Sequence, residues 1–285
     1  TGTTDLTSTN GDITLADPNN AFGGVVNAAG SDIDLAAAKN LTLGDVTATG
    51  DLDAKAGEAM VLNGVVRSAT MSLFAPRSIT QTGGFLTVAS GPTTLASEGN
   101  IVMASSGNDF AGPVSASGDN IELVDINGMT LAEVTAKSNF SVTTNGDLEL
   151  GTVTVGGEHD AKSNGGSITQ TGPIRVEGEA SFDAGTGAVD LSHPDNYFPS
   201  GVDAKGSSIV ITGDSNAANS QNSAGTFYQE VVVAEFEGVR VADSAAKSIV
   251  TRDVLVITET DEQQIRMALC TSSQSSASLT CVSQQ

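Results

Sequence analysis

The sequence predicts an all-β fold in which the chain winds into a parallel β-helix. Three observations predict it: short apolar pairs with one residue between them, the return of those pairs at short, nearly constant steps, and turn formers in the gaps. Ile13–Leu15, Ile33–Leu35, Leu52–Ala54 and Met71–Leu73 open at positions 13, 33, 52 and 71. Between them lie Phe22–Val25, Leu41–Leu43–Val46 and Met60–Leu62–Val65. Alternation with period two marks strands, each too short to stand alone. Asn10-Gly11-Asp12, Ala29-Gly30-Ser31-Asp32 and Thr49-Gly50-Asp51 supply the positive φ angles and local side-chain bonds that corners require.

A longer period lies over the short one. Ile13, Ile101 and Val189 are 88 residues apart, as are Phe22, Phe110 and Phe198, and Ile33, Ile121 and Ile209. Leu43/Leu131, Val46/Val134, Leu52/Phe140 and Leu62/Leu150 keep the same spacing. Ser78-Ile79-Thr80-Gln81-Thr82-Gly83 returns as Ser167-Ile168-Thr169-Gln170-Thr171-Gly172 at a spacing of 89, and Val88/Val176 restore 88. Copies therefore start near 13, 101 and 189, and the third fades after Ile211. Stacked coils of this size bury a shared core that one coil cannot close by itself. A propeller needs about 40 residues per four-stranded blade, and an immunoglobulin-type array needs seven strands per roughly 100 residues. The short inner rhythm disfavours both. Residues 1–212 would hold about 11 coils at the 4.8 Å strand spacing, a rod on the order of 50 Å. Thr1 falls inside the pattern, so the chain is expected to begin within a longer array.

The pattern changes after residue 212. A polar loop at 216–223 precedes longer β-rich runs at Phe227–Phe236, Val239–Ala242 and Ser248–Thr258, which predict a capping region over 213–259. Such a cap would cover strand edges that otherwise recruit other chains. Thr260-Asp261-Glu262-Gln263 reads as a helix start, with the helix running to about Leu269. Residues 260–285 thus read as a short helix and a loop holding the chain's two cysteines, Cys270 and Cys281. Two cysteines this close suggest one disulfide made in an oxidising compartment.

Charge narrows the function. The chain has 12 Lys+Arg against 34 Asp+Glu, a net charge of −22, which opposes direct binding to nucleic acid or an anionic bilayer. No run approaches the roughly 20 apolar residues of a membrane span, and no signal peptide opens the chain. β-Helices also carry polysaccharide lyases and hydrolases, which group bases and acidic metal ligands on one face. Here Lys39, Lys55, Arg67, Arg77, Lys137, Lys162 and Arg175 are scattered. Asp32/Asp34 and Asp147/Glu149 flank single apolar residues, as outward strand positions do. Asp12, Asp51, Asp119 and Asp147 read as turn formers ahead of calcium ligands, because no nine-residue Gly-Gly-x-Gly-x-Asp repeat is present. His159 and His193 read as surface histidines; Met71 stands 88 residues before the first, Asp17 and Ser105 at the positions matching the second. Gly156-Gly157 and Gly165-Gly166 read as corners, with no phosphate loop, and Asn40 and Asn139 fit a weak glycosylation pattern. No catalytic residue, metal site or cofactor is expected.

These features resemble the filamentous haemagglutinin-like exoproteins of two-partner secretion in Gram-negative bacteria. The resemblance covers residues 1 to about 212. It rests on the Ile/Leu-x-Leu coils, the turn and strand at Asn108–Val114 with looser versions at Asp17–Val25 and Asp195–Val202, and the Ala/Gly/Ser/Thr/Asn background. It implies a right-handed parallel β-helix that crosses the outer membrane through a partner transporter barrel. Cys270-(x10)-Cys281 looks like the C-terminal cysteine hook of retained adhesins in that family, which implies a disulfide knot that jams in the transporter; a plain stapling disulfide stays open. The expectation is an extracellular, surface-anchored adhesin stalk that contributes to attachment or biofilm cohesion. Extracellular polysaccharide or a host or neighbouring cell surface would be its further partner. An autotransporter-type passenger and a polysaccharide-processing enzyme are the alternatives.

Overall fold

In the computed structural model the chain is all-β, and its parallel strands wind as a β-solenoid. The structure describes residues 2–213 throughout and, beyond them, the backbone of five strands: Val231–Val233, Arg240–Val241, Asp253–Thr258, Arg266–Ser272 and Leu279–Ser283. The chain divides into two compact units, Thr1–Asn145 and Gly146–Gln285.

In the first unit, three stacks of parallel strands form the walls. One runs through Ile13–Leu15, Ile33–Ala37, Asp51–Ala56, Thr70–Phe74, Thr93–Ala96, Val114–Gly118 and Met129–Ala136. A second runs through Leu41–Ala48, Ala59–Leu62, Ser78–Gln81, Asn100–Met103, Ile121–Val124 and Phe140–Thr143. The third holds Thr4–Thr7, Val25–Gly30, the latter part of Leu41–Ala48, Val66–Ser68, Leu86–Val88 and Asp109–Phe110. From Ile33 to Phe110 the chain visits the three stacks in that order, turn after turn. Alternate residues point inward: Leu41, Leu43, Met60, Leu62, Ile79, Ile101, Met103, Leu123 and Val142 are fully buried. Each such side chain contributes roughly 1.5–3 kcal/mol when neighbouring turns cover it, and no single turn could do so alone.

The second unit repeats the plan. The start of Leu148–Val155 stacks with Ile168–Gln170, Val189–Leu191 and Ile209–Ile211. Its end stacks with Ile174–Val176, which bridges to Tyr197. His159–Lys162, Ala180–Asp183 and Val202–Lys205 form a further wall of this unit. Antiparallel pairing begins at Val231–Val233, set against Ile209–Ile211, and continues between Asp253–Thr258, Arg266–Ser272 and Leu279–Ser283.

The 88-residue period is not a whole number of turns. Ile13 registers with Ile33, Leu52, Met71 and then Thr93, so the fourth turn closes at position 93, short of one full period. The remainder of the period reaches Ile101, which lies in the next wall, in the strand Asn100–Met103. Ile33 and Leu52 likewise belong to the first wall, whereas their counterparts Ile121 and Phe140 pair with each other in the second. The second unit shows the same step within itself. His159, the counterpart of Met71, stacks with Ala180, whereas Val189, the third-copy counterpart of Ile13, stacks with Ile168 and Ile209. Each copy of the sequence repeat therefore advances four turns and one wall.

One expectation is corrected. The helix from Thr260 to about Leu269 is not formed over its second half: Arg266–Leu269 belong to the strand Arg266–Ser272, and Thr260–Gln263 lie outside the described residues. Ile265, Met267 and Leu269 alternate with Gln264, Arg266 and Ala268, a period of two that suits pairing with Asp253–Thr258 better than a helical stripe.

Candidate functional site

The corner carboxylates hold neighbouring turns together. Asp12 Oδ1 accepts the Asp32 N–H at 3.2 Å, Asp32 Oδ1 accepts the Asp51 N–H at 2.9 Å, and Asp51 Oδ1 accepts the Thr70 hydroxyl at 2.7 Å. Asp119 Oδ1 accepts the Ser138 hydroxyl at 2.6 Å, and Asp147 Oδ1 the Ser167 N–H at 2.8 Å. The same ladder is built from amides one copy later, where Asn100 Oδ1 accepts from Asn120 (3.3 Å) and Asn120 Oδ1 from Asn139 (3.2 Å). Asn40 Oδ1 likewise accepts the Ala59 N–H at 3.1 Å. At these corners the side chains act as turn formers that bind the adjacent turn. Among the described residues no group of three His, Cys, Asp or Glu side chains is placed to hold a metal ion.

The carboxylate pairs lie outward as expected, with Asp32 and Asp147 exposed and Asp34 and Glu149 half-buried. Among the basic residues, Lys55 binds Asp53 at 2.6 Å, and that hydrogen bond is the first cause that raises its pKa. Arg67 lies over the Phe85 ring (5.1 Å) and Arg175 over Tyr197 (4.6 Å), so each guanidinium is engaged with an aromatic face. Gly165 has φ of 107° at its corner, and Gly157 accepts the Gly178 N–H at 2.9 Å across a turn.

His159 corrects the surface assignment: it is 1% exposed, with its ring edge-on to Phe182 at 5.3 Å. It occupies the inward slot of its strand, the slot that Met71 fills one copy earlier. His193 is half-buried at a corner, where its Nδ1 accepts the Asp195 N–H at 3.2 Å. Cys270 and Cys281 lie in the antiparallel strands Arg266–Ser272 and Leu279–Ser283, whose register sets the two residues opposite each other.

Two buried polar clusters escape a reading of the sequence. Asn108 is fully buried; its Nδ2 donates to Gln81 Oε1 (3.0 Å) and to the Met103 carbonyl (3.1 Å). Its Oδ1 accepts from Gln81 Nε2 (2.8 Å) and from the Leu86 N–H (2.9 Å). Asn196 and Gln170 repeat the clasp: Asn196 Nδ2 donates to Gln170 Oε1 (2.8 Å) and to the Leu191 carbonyl (3.0 Å), while its Oδ1 accepts from Gln170 Nε2 (2.9 Å) and the Ile174 N–H (2.9 Å). A reciprocal amide pair satisfies every buried group it brings in, which is the condition for a polar cluster to hold in a core. Asp125 is also fully buried; its carboxylate accepts the Phe110 N–H at 2.7 Å and the Asn127 N–H at 2.6 Å. Burial raises its pKa above the ordinary carboxylate value, against the pull of those two bonds.

Compared with known families, residues 1–29, 55–117 and 138–205 match a family described as repeats of unknown function (DUF5649), together more than half of the chain. The chain belongs to this family. No curated protein matches the chain, and no solved structure does. Each of the two longer family matches encloses one complete clasp, Gln81 with Asn108 and Gln170 with Asn196, and the first match encloses Asn20.

Proposed function

We propose that this chain is the stalk base and anchor of a cell-surface adhesin, exported through an outer-membrane partner barrel and tethered by a Cys270–Cys281 disulfide. The observation that carries the proposal is the use of the corner side chains. Asp, Asn, Ser and Thr at the turns bind the turn beside them, ladder upon ladder, so the repeat's polar groups go into holding a regular solenoid. A scaffold of that kind suits a spacer that carries a binding region away from a surface. On this reading the chain is not an enzyme, works without a cofactor, and meets extracellular polysaccharide or a neighbouring cell as its partner. Its charge of −22 keeps it apart from nucleic acid.

The anchor has its own support. Directly opposed residues of an antiparallel pair have Cα atoms about 4.5–5.5 Å apart, within the range a disulfide spans. Closing so short a loop would stabilise it locally by roughly 2–3 kcal/mol, and a closed loop resists being drawn straight through a narrow pore. Replacing both Cys270 and Cys281 with Ser in the native host tests the tether. Release of the protein into the medium with export intact is the expected result; undiminished surface retention would reject the anchor. Incubating purified chain with polysaccharides and assaying for shortened products separates the adhesin from a glycan-cleaving enzyme.

A further inference from the structure

Three corners spaced 88 residues apart share one construction. At 16–20, 104–108 and 192–196 the chain leaves a strand, makes a tight turn, and ends on an Asn whose Nδ2 returns to the last carbonyl of that strand: Asn20 to Leu15 (2.8 Å), Asn108 to Met103 (3.1 Å) and Asn196 to Leu191 (3.0 Å). In each turn the Asn N–H donates to the carbonyl three residues back, at 3.0, 3.2 and 3.3 Å. Each also has a side-chain cap, but the capping residue differs. Asp17 Oδ1 accepts the Asn19 N–H (2.9 Å), Ser105 Oγ the Gly107 N–H (3.4 Å), and His193 Nδ1 the Asp195 N–H (3.2 Å). The tips, Pro18-Asn19, Ser106 and Pro194-Asp195, are exposed and chemically unlike one another. One closure thus accepts a carboxylate, a hydroxyl or an imidazole as cap, and three different tips.

We propose that this clasped corner is the repeat's variation and display site: the place where exposed residues are free to change or lengthen while the Asn beneath keeps the turns in register. The buried amide at Asn108 and Asn196 ties the loop to its own strand and, through Gln81 and Gln170, to the preceding turn, while the tip residues Asn19 and Asp195 bond only within their own corners. The corner at Gly57 has no such freedom. At Gly57 the N–H is bonded to Ala37 at 2.8 Å, and a Cβ placed there would overlap the Ala38 carbonyl oxygen of the neighbouring turn. Because each copy advances four turns and one wall, the two display loops of the first unit project from different sides of the solenoid. The loop at 16–20 follows the first wall and the loop at 104–108 follows the second. A partner that surrounds this unit would meet both loops, whereas one that lies along a single wall would meet only one of them. This inference needs only the fold and stands or falls separately from the adhesin reading.

A six-residue Gly/Ser insert tests it in the full chain. Placed after Ser106, the insert is expected to leave the thermal midpoint within about 2 °C of wild type; placed after Gly57, it should lower the midpoint by more than about 5 °C. Equal losses at the two sites would overturn the proposal. The role of the clasp is read from limited proteolysis. Asn108→Ala should open the 104–108 loop to cleavage, and Gln81→Ala, which removes only one partner, should do so more weakly; Ser106→Ala should leave the digest unchanged. A digest of Gln81→Ala or Asn108→Ala identical to wild type would remove the clasp from the account.

Discussion

At the scale of single residues, the core divides into side chains that fill space and a few that solve hydrogen-bonding problems. Asp125 belongs to the second kind, because two backbone N–H groups, from Phe110 and Asn127, depend on its carboxylate. Burial raises its folded-state pKa, so the folded chain binds this proton more tightly than the unfolded chain does. The stabilisation this group contributes is therefore fully present below its unfolded value and is lost as pH rises through the folded one. Asp125→Asn should gain less stability than wild type when urea midpoints are compared at pH 7 and pH 4; an equal gain would place the titration elsewhere. Asp125→Ala leaves the buried Phe110 N–H bare, at roughly 1–3 kcal/mol. The residues of the clasp are visible in the sequence as parts of two recurring motifs, Ser-Ile-Thr-Gln-Thr-Gly and Asn-Asp-Phe. Their union is not legible, because Gln81 and Asn108 are far apart along the chain and polar residues in a strand pattern read as outward. His159 reads as a surface residue for the same reason, although Met71 one copy earlier marks its slot as inward.

At the scale of elements, the two ladders form a natural comparison. Asp12 and Asp32 in one copy and Asn100 and Asn120 in the next occupy equivalent corners and accept from the turn beside them. The acceptor oxygen is what the ladder needs; the charge is incidental and places like charges on neighbouring turns. Asp32→Asn is therefore expected to leave stability within about 0.5 kcal/mol of wild type or to raise it. Asp32→Ala, which deprives the Asp51 N–H of its acceptor, should cost about 0.5–1.5 kcal/mol. Chemical denaturation of the two variants side by side checks this, and equal midpoints would mean the ladder contributes nothing. The strands themselves are legible because each is an apolar pair of period two, a property carried by adjacent residues. The segment ending at Leu269 misleads because a capping signature at Thr260–Gln263 outweighs the alternation of Ile265, Met267 and Leu269, and partner strands decide between those two signals.

At the scale of the molecule, the parallel coil is legible and its phase is not. The short rhythm survives in the registers Ile13–Ile33, Ile33–Leu52 and Leu52–Met71, but the next step, Met71 to Thr93, is longer and ends on a buried Thr. With no apolar marker at that slot, the turn count is lost to a reading of apolar spacing, and the advance of one wall per copy with it. The outward slots tell a second story on this scale. The walls keep apolar groups inside and leave the described acidic side chains, Asp125 apart, at corners and outward strand positions, where they are half-buried or exposed. Coils lie about 4.8 Å apart, while the screening length is roughly 30 Å at 0.01 M salt and 8 Å at 0.15 M. In dilute buffer each carboxylate is thus repelled by those on several turns, and at 0.15 M by little more than its nearest neighbours. The thermal midpoint should rise between these two salt concentrations, and the rise should be smaller in the Asp12→Asn, Asp32→Asn, Asp51→Asn triple variant, which keeps the ladder and loses three of the charges. A midpoint that falls with salt, or a triple variant with the full response, would show that the acidic corners do not repel one another across turns.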